Sequence, residues 1–99
     1  MEVYRTNPQL FIKKSEVLKA LGHPQRLCIV KMLCEKDGAT VTDMQVCLDE
    51  AQPTVSQHLS KLKASRIIAG KREGTSIIYS LYDEETHKVV EAIIKDLFD

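Results

Sequence analysis

One short segment, AQPTVSQHLSKLK at residues 51–63, carries polar side chains that suit recognition of a patterned polar surface. With 100° between successive residues of a helix, Val55, Leu59 and Leu62 fall on one side. The other side carries Gln57, Ser60, Lys61 and Ala64, and Thr54 and Ser56 flank its N-terminal end. The major groove of DNA admits a helix and presents donors and acceptors at base edges, which Gln, Ser and Thr can pair. We therefore predict that this helix reads DNA bases.

A basic hairpin is predicted directly after this helix. The segments IIAGKR and SIIYSLY are rich in β-branched and aromatic residues, and they flank the turn sequence EGT. The polar side chains of the hairpin suit contacts with phosphates beside the helix; they are Lys71, Arg72, Thr75 and Ser76. The formal net charge of the chain is zero, but residues 54–76 hold five basic residues and one acidic residue. We therefore expect a local basic patch, which matters more for phosphate contact than the total charge.

The three cysteines, Cys28, Cys34 and Cys47, could support thiol chemistry. They are odd in number, widely spaced and without a CxxC pair, so they are not a secreted disulfide framework, and we expect a cytoplasmic location. Cys28 and Cys34 would lie roughly 9 Å apart along one helix axis, which exceeds disulfide reach. Three interpretations stay open: small hydrophobes that fill the core, redox-sensing thiols, or a metalloid site formed by the three cysteines.

Catalysis and membrane insertion find no support in the residue types. No nucleophile–base pair, phosphate loop or open metal site is visible, and 99 residues leave little room for a catalytic cleft, so we predict that the protein is not an enzyme. No apolar run approaches the roughly 20 residues of a membrane span, and the first residues lack the pattern of a signal peptide. We expect no membrane partner and no cofactor, with a bound metal ion as the open alternative.

The elements that must position these side chains follow from the hydrophobic pattern. The composition is globular, with 43% hydrophobic and 28% charged residues, and the length suits one domain over residues 1–99. Helical periodicity predicts helices at 9–21, at 24–36, from a Thr42–Asp43 cap to Leu48, from about Pro53, and within 83–98. The second helix is apolar nearly all round and should be central. The predicted fold is mainly α with a small β-hairpin, in the order α-α-α-α-β-β-α.

Three finer expectations concern local packing. The third helix should carry Met44, Cys47 and Leu48 inward. Thr54 and Gln57 have the spacing of a capping box at the start of the fourth helix. Ile77, Tyr79 and Leu81 alternate along the second strand, so we expect one strand face to be buried.

The segments LGHPQRLCIVKML and QPTVSQHLSKLKASRIIAGKREGTSIIYSL allow a comparison with known families. They resemble the second-helix signature, and the recognition helix and wing, of the ArsR/SmtB (arsenic-repressor) family of winged helix-turn-helix regulators. The resemblance covers about residues 9–98. It implies a homodimer built by the first and last helices, a two-fold symmetric DNA operator, and repression that an inducer relieves. The implied DNA-reading positions are Gln52, Thr54, Ser56, Gln57 and Ser60, and the implied wing positions are Lys71 and Arg72.

The resemblance also locates the sites where such regulators sense metals. Many members carry Cys-x-Cys at the start of the third helix, but this chain reads Thr40-Val41-Thr42, and hydroxyls are poor ligands for soft metals. The last-helix site would lie between two subunits and would fall on four carboxylates, which suit hard cations better than zinc: Asp83 and Glu85 of one subunit, with Asp96 and Asp99 of the other. A solvated acidic helix end is the simpler interpretation. We therefore predict that the inducer is not a soft metal, and that thiol oxidation is the better inorganic alternative. His58 also matches a family position, where we expect a packed or capping role.

Two functions follow, from different classes. The first is a dimeric DNA-binding repressor. The second is a winged-helix module that contacts proteins without sequence-specific DNA binding. Salt dependence separates them, because DNA binding weakens steeply as salt rises through counterion release.

Overall fold

The computed structural model describes residues 1–99 and contains five α-helices and one two-stranded antiparallel sheet. The elements are α1 (Pro8–Leu21), α2 (Pro24–Glu35), α3 (Val41–Leu48), α4 (Gln52–Ala64), β1 (Ile68–Glu73), β2 (Ser76–Leu81) and α5 (Glu84–Phe98). This confirms the predicted order and the mainly helical fold class. None of the helices combines the length and the apolar character that a membrane span requires.

The hydrophobic core surrounds α2, as its apolar sequence predicted. Ile29 and Val30 of α2 are fully buried, and α2 packs against α1, α3, α4, α5 and β2. Every helix and strand contributes at least one side chain to this single cluster. The buried residues of α1 lie only in its last turn, at Ala20 and Leu21, whereas Leu18 is exposed. Large apolar side chains of α1 therefore remain exposed to solvent in the single chain.

The start of α3 differs from the predicted one. The helix is capped by Thr40 and not by Thr42–Asp43: Thr40 Oγ1 accepts from the Asp43 amide at 3.2 Å, and Asp43 Oδ2 accepts from the Thr40 amide at 2.9 Å. This reciprocal capping box satisfies two amides at the helix end. The bond from the Thr40 amide lowers the pKa of the Asp43 carboxyl, because it stabilises the charged form. The expectation of an inward Cys47 was also wrong, since Cys47 is exposed.

The start of α4 lacks the predicted capping box. Ala51 occupies the N-cap position and makes no side-chain cap, so Thr54 and Gln57 are free for other contacts. Pro53 lies in the first turn, where its missing N–H costs no helical hydrogen bond.

The hairpin is joined to the core at its base and projects at its tip. Glu73 pairs with Ser76 across a two-residue turn, in which Gly74 has a φ of +62°, a left-handed conformation that suits glycine. At the base, Tyr79 exchanges backbone hydrogen bonds of 2.8 and 2.9 Å with Ala39, which precedes α3. Tyr79 is buried, but Ile77 is 38% exposed, so the buried strand face is shorter than predicted. Between Tyr79 and the turn at Gly74, the strands project away from the core.

A matched pair of valines tests the position of α4 in the core. Val55 of α4 is fully buried, and Val46 of α3 is 79% exposed. We expect Val55→Ala to lower the free energy of unfolding by about 2 kcal/mol, because it removes buried methyl groups and leaves a cavity. Val46→Ala should change it by less than about 0.5 kcal/mol. Urea denaturation of both variants checks this, and equal losses would contradict the described core.

Candidate nucleic-acid interface

The helix α4 separates its apolar and polar side chains as the sequence predicted. Its buried residues are Val55, His58, Leu59 and Leu62. The predicted base-reading residues lie on the remaining surface: Gln52, Gln57, Ser60 and Lys61 are exposed, and Thr54 and Ser56 are half-buried. Within this set, Gln52 Nε2 donates to Ser56 Oγ at 3.0 Å. Donors and acceptors of the kind that pair with base edges are thus accessible along one helix.

A tight turn joins α3 to α4 and forms a helix-turn-helix. Asp49 ends α3 with a φ of 54°, a left-handed conformation that Asp tolerates better than most residues. The amide of Glu50 donates to the Gln45 carbonyl at 3.2 Å, which closes the last turn of α3. Because α3 also packs against α4, the two helices form one unit whose exposed polar side belongs to α4.

A buried histidine attaches α4 to the start of α2. His58 is 8% exposed, and its Nε2 lies 2.8 Å from Gln25 Oε1. Gln25 Nε2 donates to Glu50 Oε1 at 2.9 Å. A carboxylate only accepts hydrogen bonds, so the amide nitrogen of Gln25 must face Glu50 and its oxygen must face His58. His58 therefore donates from Nε2, and one amide connects α2, the α3–α4 turn and α4. The expected packed role of His58 is confirmed.

The protonation of His58 is coupled to this packing. Burial lowers the pKa of His58, and the nearby His23, Arg26 and Lys61 lower it further by like-charge repulsion, while Glu50 opposes them. The His23 ring lies 4.7 Å from the His58 ring, and His23 Nδ1 accepts from the Gln25 amide at 3.1 Å. The neutral imidazole is thus the form that fits the folded chain.

A second buried polar residue, Arg26, attaches α1 to α2. Its side chain is 9% exposed, and its Nε donates to the Ala20 carbonyl at 2.7 Å. The Lys19 carbonyl accepts from Arg26 Nη2 at 3.4 Å. The guanidinium thus satisfies the Ala20 carbonyl at the end of α1 and shares the Lys19 carbonyl with the Gly22 amide, which donates to it at 3.1 Å. Sequence reasoning missed Gln25 and Arg26, although polar residues in a nearly all-apolar helix were a usable signal.

The predicted phosphate-contacting side chains all lie on the hairpin surface. Lys71, Arg72, Thr75 and Ser76 are exposed on β1, the turn and β2. The hairpin follows α4 directly: the Ile67 amide donates to the Leu62 carbonyl at 3.0 Å, and Ile67 is fully buried. The basic side chains of the hairpin are therefore held at a defined position relative to α4.

The candidate metal positions are used as helix caps or lie apart. Thr40 caps α3, and Asp83 caps α5 through Oδ1, which accepts from the Thr86 amide at 2.7 Å and thereby lowers the pKa of Asp83. Glu85 lies at the start of α5, and Asp96 and Asp99 lie at its end. Within one chain, no three His, Cys, Asp or Glu side chains come together to hold a metal ion. The four predicted carboxylates are therefore not assembled within a single chain.

The structure brings together two cysteines that sequence reasoning did not pair. Cys28 Sγ of α2 lies 3.7 Å from Cys47 Sγ of α3. Burial raises the pKa of the Cys28 thiol, and the contact with Cys47 raises it further. Cys34 is half-buried without a cysteine neighbour, and burial raises its pKa as well. The 19-residue separation of Cys28 and Cys47 gave no sequence signal, since their contact depends on how α3 packs against α2.

Known proteins share this arrangement of sequence and fold. Residues 23–69 match the family profile described as "Bacterial regulatory protein, arsR family". An HTH-type transcriptional regulator of Methanocaldococcus jannaschii is 35% identical over 81 residues, which cover 82% of this chain and 91% of that protein. The chain belongs to the ArsR family of bacterial regulatory proteins.

Two further proteins extend the comparison to solved structures. The transcriptional repressor PagR of Bacillus anthracis is 38% identical over 81 residues, which cover 82% of this chain and 77% of PagR. The crystal structure of PagR superimposes on this chain with a TM-score of 0.75 at 30% identity. The superposition covers 88% of this chain and 99% of the PagR chain. Reduced HlyU of Vibrio cholerae, at 23% identity, covers 98% of this chain and 100% of its own with a TM-score of 0.84. HlyU therefore supports the fold alone.

The buried histidine gives this ArsR-family chain a specific pH dependence. The pKa of His58 is lower in the folded chain than the ordinary value of about 6.5. The unfolded chain therefore binds the proton more readily, so stability is complete above about pH 6.5 and falls as the pH drops towards the folded pKa. We expect His58→Gln to lack the part of the decrease in stability that His58 causes. His23 and His87 remain in both proteins, so the difference between the two pH profiles belongs to His58. Urea denaturation between about pH 8 and pH 5.5 measures it, and identical pH profiles would rule out His58 as the source.

Proposed function

We propose that the chain is a DNA-binding transcriptional repressor that acts as a homodimer on a two-fold symmetric operator. The observation that carries this proposal is the exposed polar side of α4, held by a buried apolar side and by the His58–Gln25–Glu50 hydrogen bonds. The relative PagR is named a transcriptional repressor. An inducer would release the operator, as in the regulators that the sequence resembles.

The proposed contacts divide between α4 and the hairpin. Gln57 and Ser60 of α4 would pair with base edges in the major groove, because their polar atoms are exposed on the recognition helix. Lys71 and Arg72 would contact phosphates, since they extend from a hairpin that continues directly from α4. Base contacts would specify the sequence, and phosphate contacts would position the helix.

The proposed dimer is built from α1 and α5, with residues 1–99 acting as one unit. Both helices leave large apolar side chains exposed in the single chain. Extensive exposed apolar surface is uncommon on a monomeric protein and marks interaction sites. These side chains are Phe11, Ile12, Leu18, Val89, Leu97 and Phe98. Their burial against a second copy would remove them from water, and the two-fold symmetry of such a dimer would match a two-fold symmetric operator.

Other functions have weaker support. A protein-contact module without DNA binding would not need a hairpin with exposed Lys71 and Arg72 beside an exposed polar helix. We propose no catalytic role, since the family consists of regulatory proteins and the polar side chains described above are helix caps, interhelical contacts or exposed residues. The salt dependence of DNA binding distinguishes the repressor from the protein-contact module.

Two substitutions separate base contacts from phosphate contacts. Gln57→Ala should reduce discrimination between the operator and random DNA by about 1–3 kcal/mol, because a base contact is lost. Arg72→Ala should weaken binding to all sequences and lower the salt slope by about one. Fluorescence anisotropy with both DNAs at several salt concentrations measures these effects. Gln9→Ala and Lys88→Ala, at exposed polar positions outside α4 and the hairpin, are the controls, provided that both variants sediment like the wild type. Indistinguishable behaviour of the two variants would disprove the division of roles.

A matched pair of valines also tests the dimer. We expect the wild type to sediment as a dimer at micromolar concentration, and Val89→Glu to shift it towards the monomer by placing a charge in the apolar interface. Val46→Glu, at an exposed valine of α3, should remain a dimer. A wild-type protein that sediments as a stable monomer would refute both the dimer and the two-fold operator.

A further inference from the structure

We propose that Cys28 and Cys47 form a thiol-oxidation site, where a peroxide produces an intramolecular disulfide that ties α3 to α2 and weakens operator binding. The oxidation itself stands independently of the proposed function, whereas its effect on the operator rests on that function. The inference depends on the 3.7 Å contact between the two Sγ atoms, which lie on different helices.

The geometry favours bond formation between these two thiols. A disulfide has an S–S length of about 2.05 Å. The two sulfur atoms, now 3.7 Å apart, must therefore approach each other by about 1.65 Å. Each cysteine lies within a helix, and α2 and α3 already pack against each other, so the approach is prepared by the fold. Cys34 has no second thiol within bonding reach and provides an internal comparison.

The difference in exposure assigns a role to each thiol. Cys47 is exposed, so a peroxide reaches it from solvent, whereas Cys28 is half-buried behind it. The Cys47 thiolate attacks one oxygen of hydrogen peroxide, the O–O bond breaks, and, with one proton taken up, Cys47 sulfenic acid and water are formed. Cys28 loses its proton, its thiolate attacks the sulfenic sulfur, and the S–O bond breaks. The hydroxide that leaves takes up one proton and forms a second water. Two thiols and one peroxide thus yield one disulfide and two waters.

The bond would act on the helix-turn-helix through the end of α3. Cys47 is the penultimate residue of α3, directly before the turn that leads into α4. Glu50 of this turn accepts from Gln25, which also contacts His58 of α4. Drawing Cys47 towards α2 therefore displaces the segment that sets the position of α4 relative to α2. A rigid two-fold dimer tolerates such a displacement poorly, because both α4 helices must enter the major groove at a set spacing.

The pH dependence of the reaction follows from the environment of Cys28. Burial and the neighbouring Cys47 raise the pKa of Cys28, and Glu35 acts in the same direction, while Lys31 opposes them. The second step needs the Cys28 thiolate, so disulfide formation should accelerate as the pH rises above neutrality. The first step needs the Cys47 thiolate and accelerates with pH as well, so the linked peptide, and not the pH profile, separates the disulfide from oxidation of Cys47 alone.

Peptide mapping tests the disulfide without any reference to DNA. Trypsin places Cys28, Cys34 and Cys47 on separate peptides, 27–31, 32–36 and 37–61, because a lysine or arginine precedes and ends each one. After treatment of the full chain with hydrogen peroxide and alkylation, we expect a 27–31/37–61 linked peptide that dithiothreitol removes. Cys34→Ser should retain this link, and Cys28→Ala and Cys47→Ser should lose it. A link that involves Cys34, or two chains joined through Cys47, would overturn the site.

DNA binding tests the consequence. Peroxide should weaken operator binding of the wild type and of Cys34→Ser by about tenfold or more, a typical size for coupling between sites, and dithiothreitol should restore it. Cys47→Ser should bind the operator like the reduced wild type and should not respond to peroxide. A linked peptide with unchanged affinity would overturn the regulatory effect. Failure of every reduced protein to bind DNA would instead refute the proposed function and leave the oxidation site standing.

Discussion

The packing of the apolar side of α4 into the core, against α1, α2, α3 and β1, is the constraint on which the candidate interface depends. Val55, Leu59 and Leu62 are buried there, and helical geometry then directs Gln57 and Ser60 away from the core. The polar residues of α4 are therefore exposed because burial of the apolar residues fixes the orientation of the helix. A helix that was free to rotate about its axis would present no fixed pattern of donors and acceptors.

Hydrogen bonds add direction to this apolar packing. Apolar contact alone tolerates small rotations and shifts, whereas the bond that His58 donates to Gln25 and the bond that Gln25 donates to Glu50 hold at defined distances and angles. Arg26 does the same between α1 and α2. Two polar residues near the start of α2 thus orient the helices on either side of it. The cost of burying them is offset because each has a partner, and no buried side-chain nitrogen or oxygen lacks one.

Residues at the family's sensor positions have structural roles in this chain. Thr40 and Asp83 accept hydrogen bonds from the amides of α3 and α5, and such caps stabilise helix ends. Of the positions that could hold a metal ion, Thr40 and Asp83 are thus already used as helix caps. Sulfur chemistry is located elsewhere, between α2 and α3, where Cys28 and Cys47 are in contact.

The sequence by itself determined the order of elements, the central position of α2 and the division of α4 into buried and exposed sides. These features depend on periodicities of 3.6 and 2.0 residues, which are local and visible in one dimension. It did not determine the Thr40 cap of α3, the exposure of Ile77 or the outward position of Cys47, because several hydroxyls and apolar residues satisfied the local pattern equally well. Only the tertiary structure decided the contacts of Gln25 with His58 and of Cys28 with Cys47, since each joins residues 33 or 19 positions apart whose distance is set by helix packing.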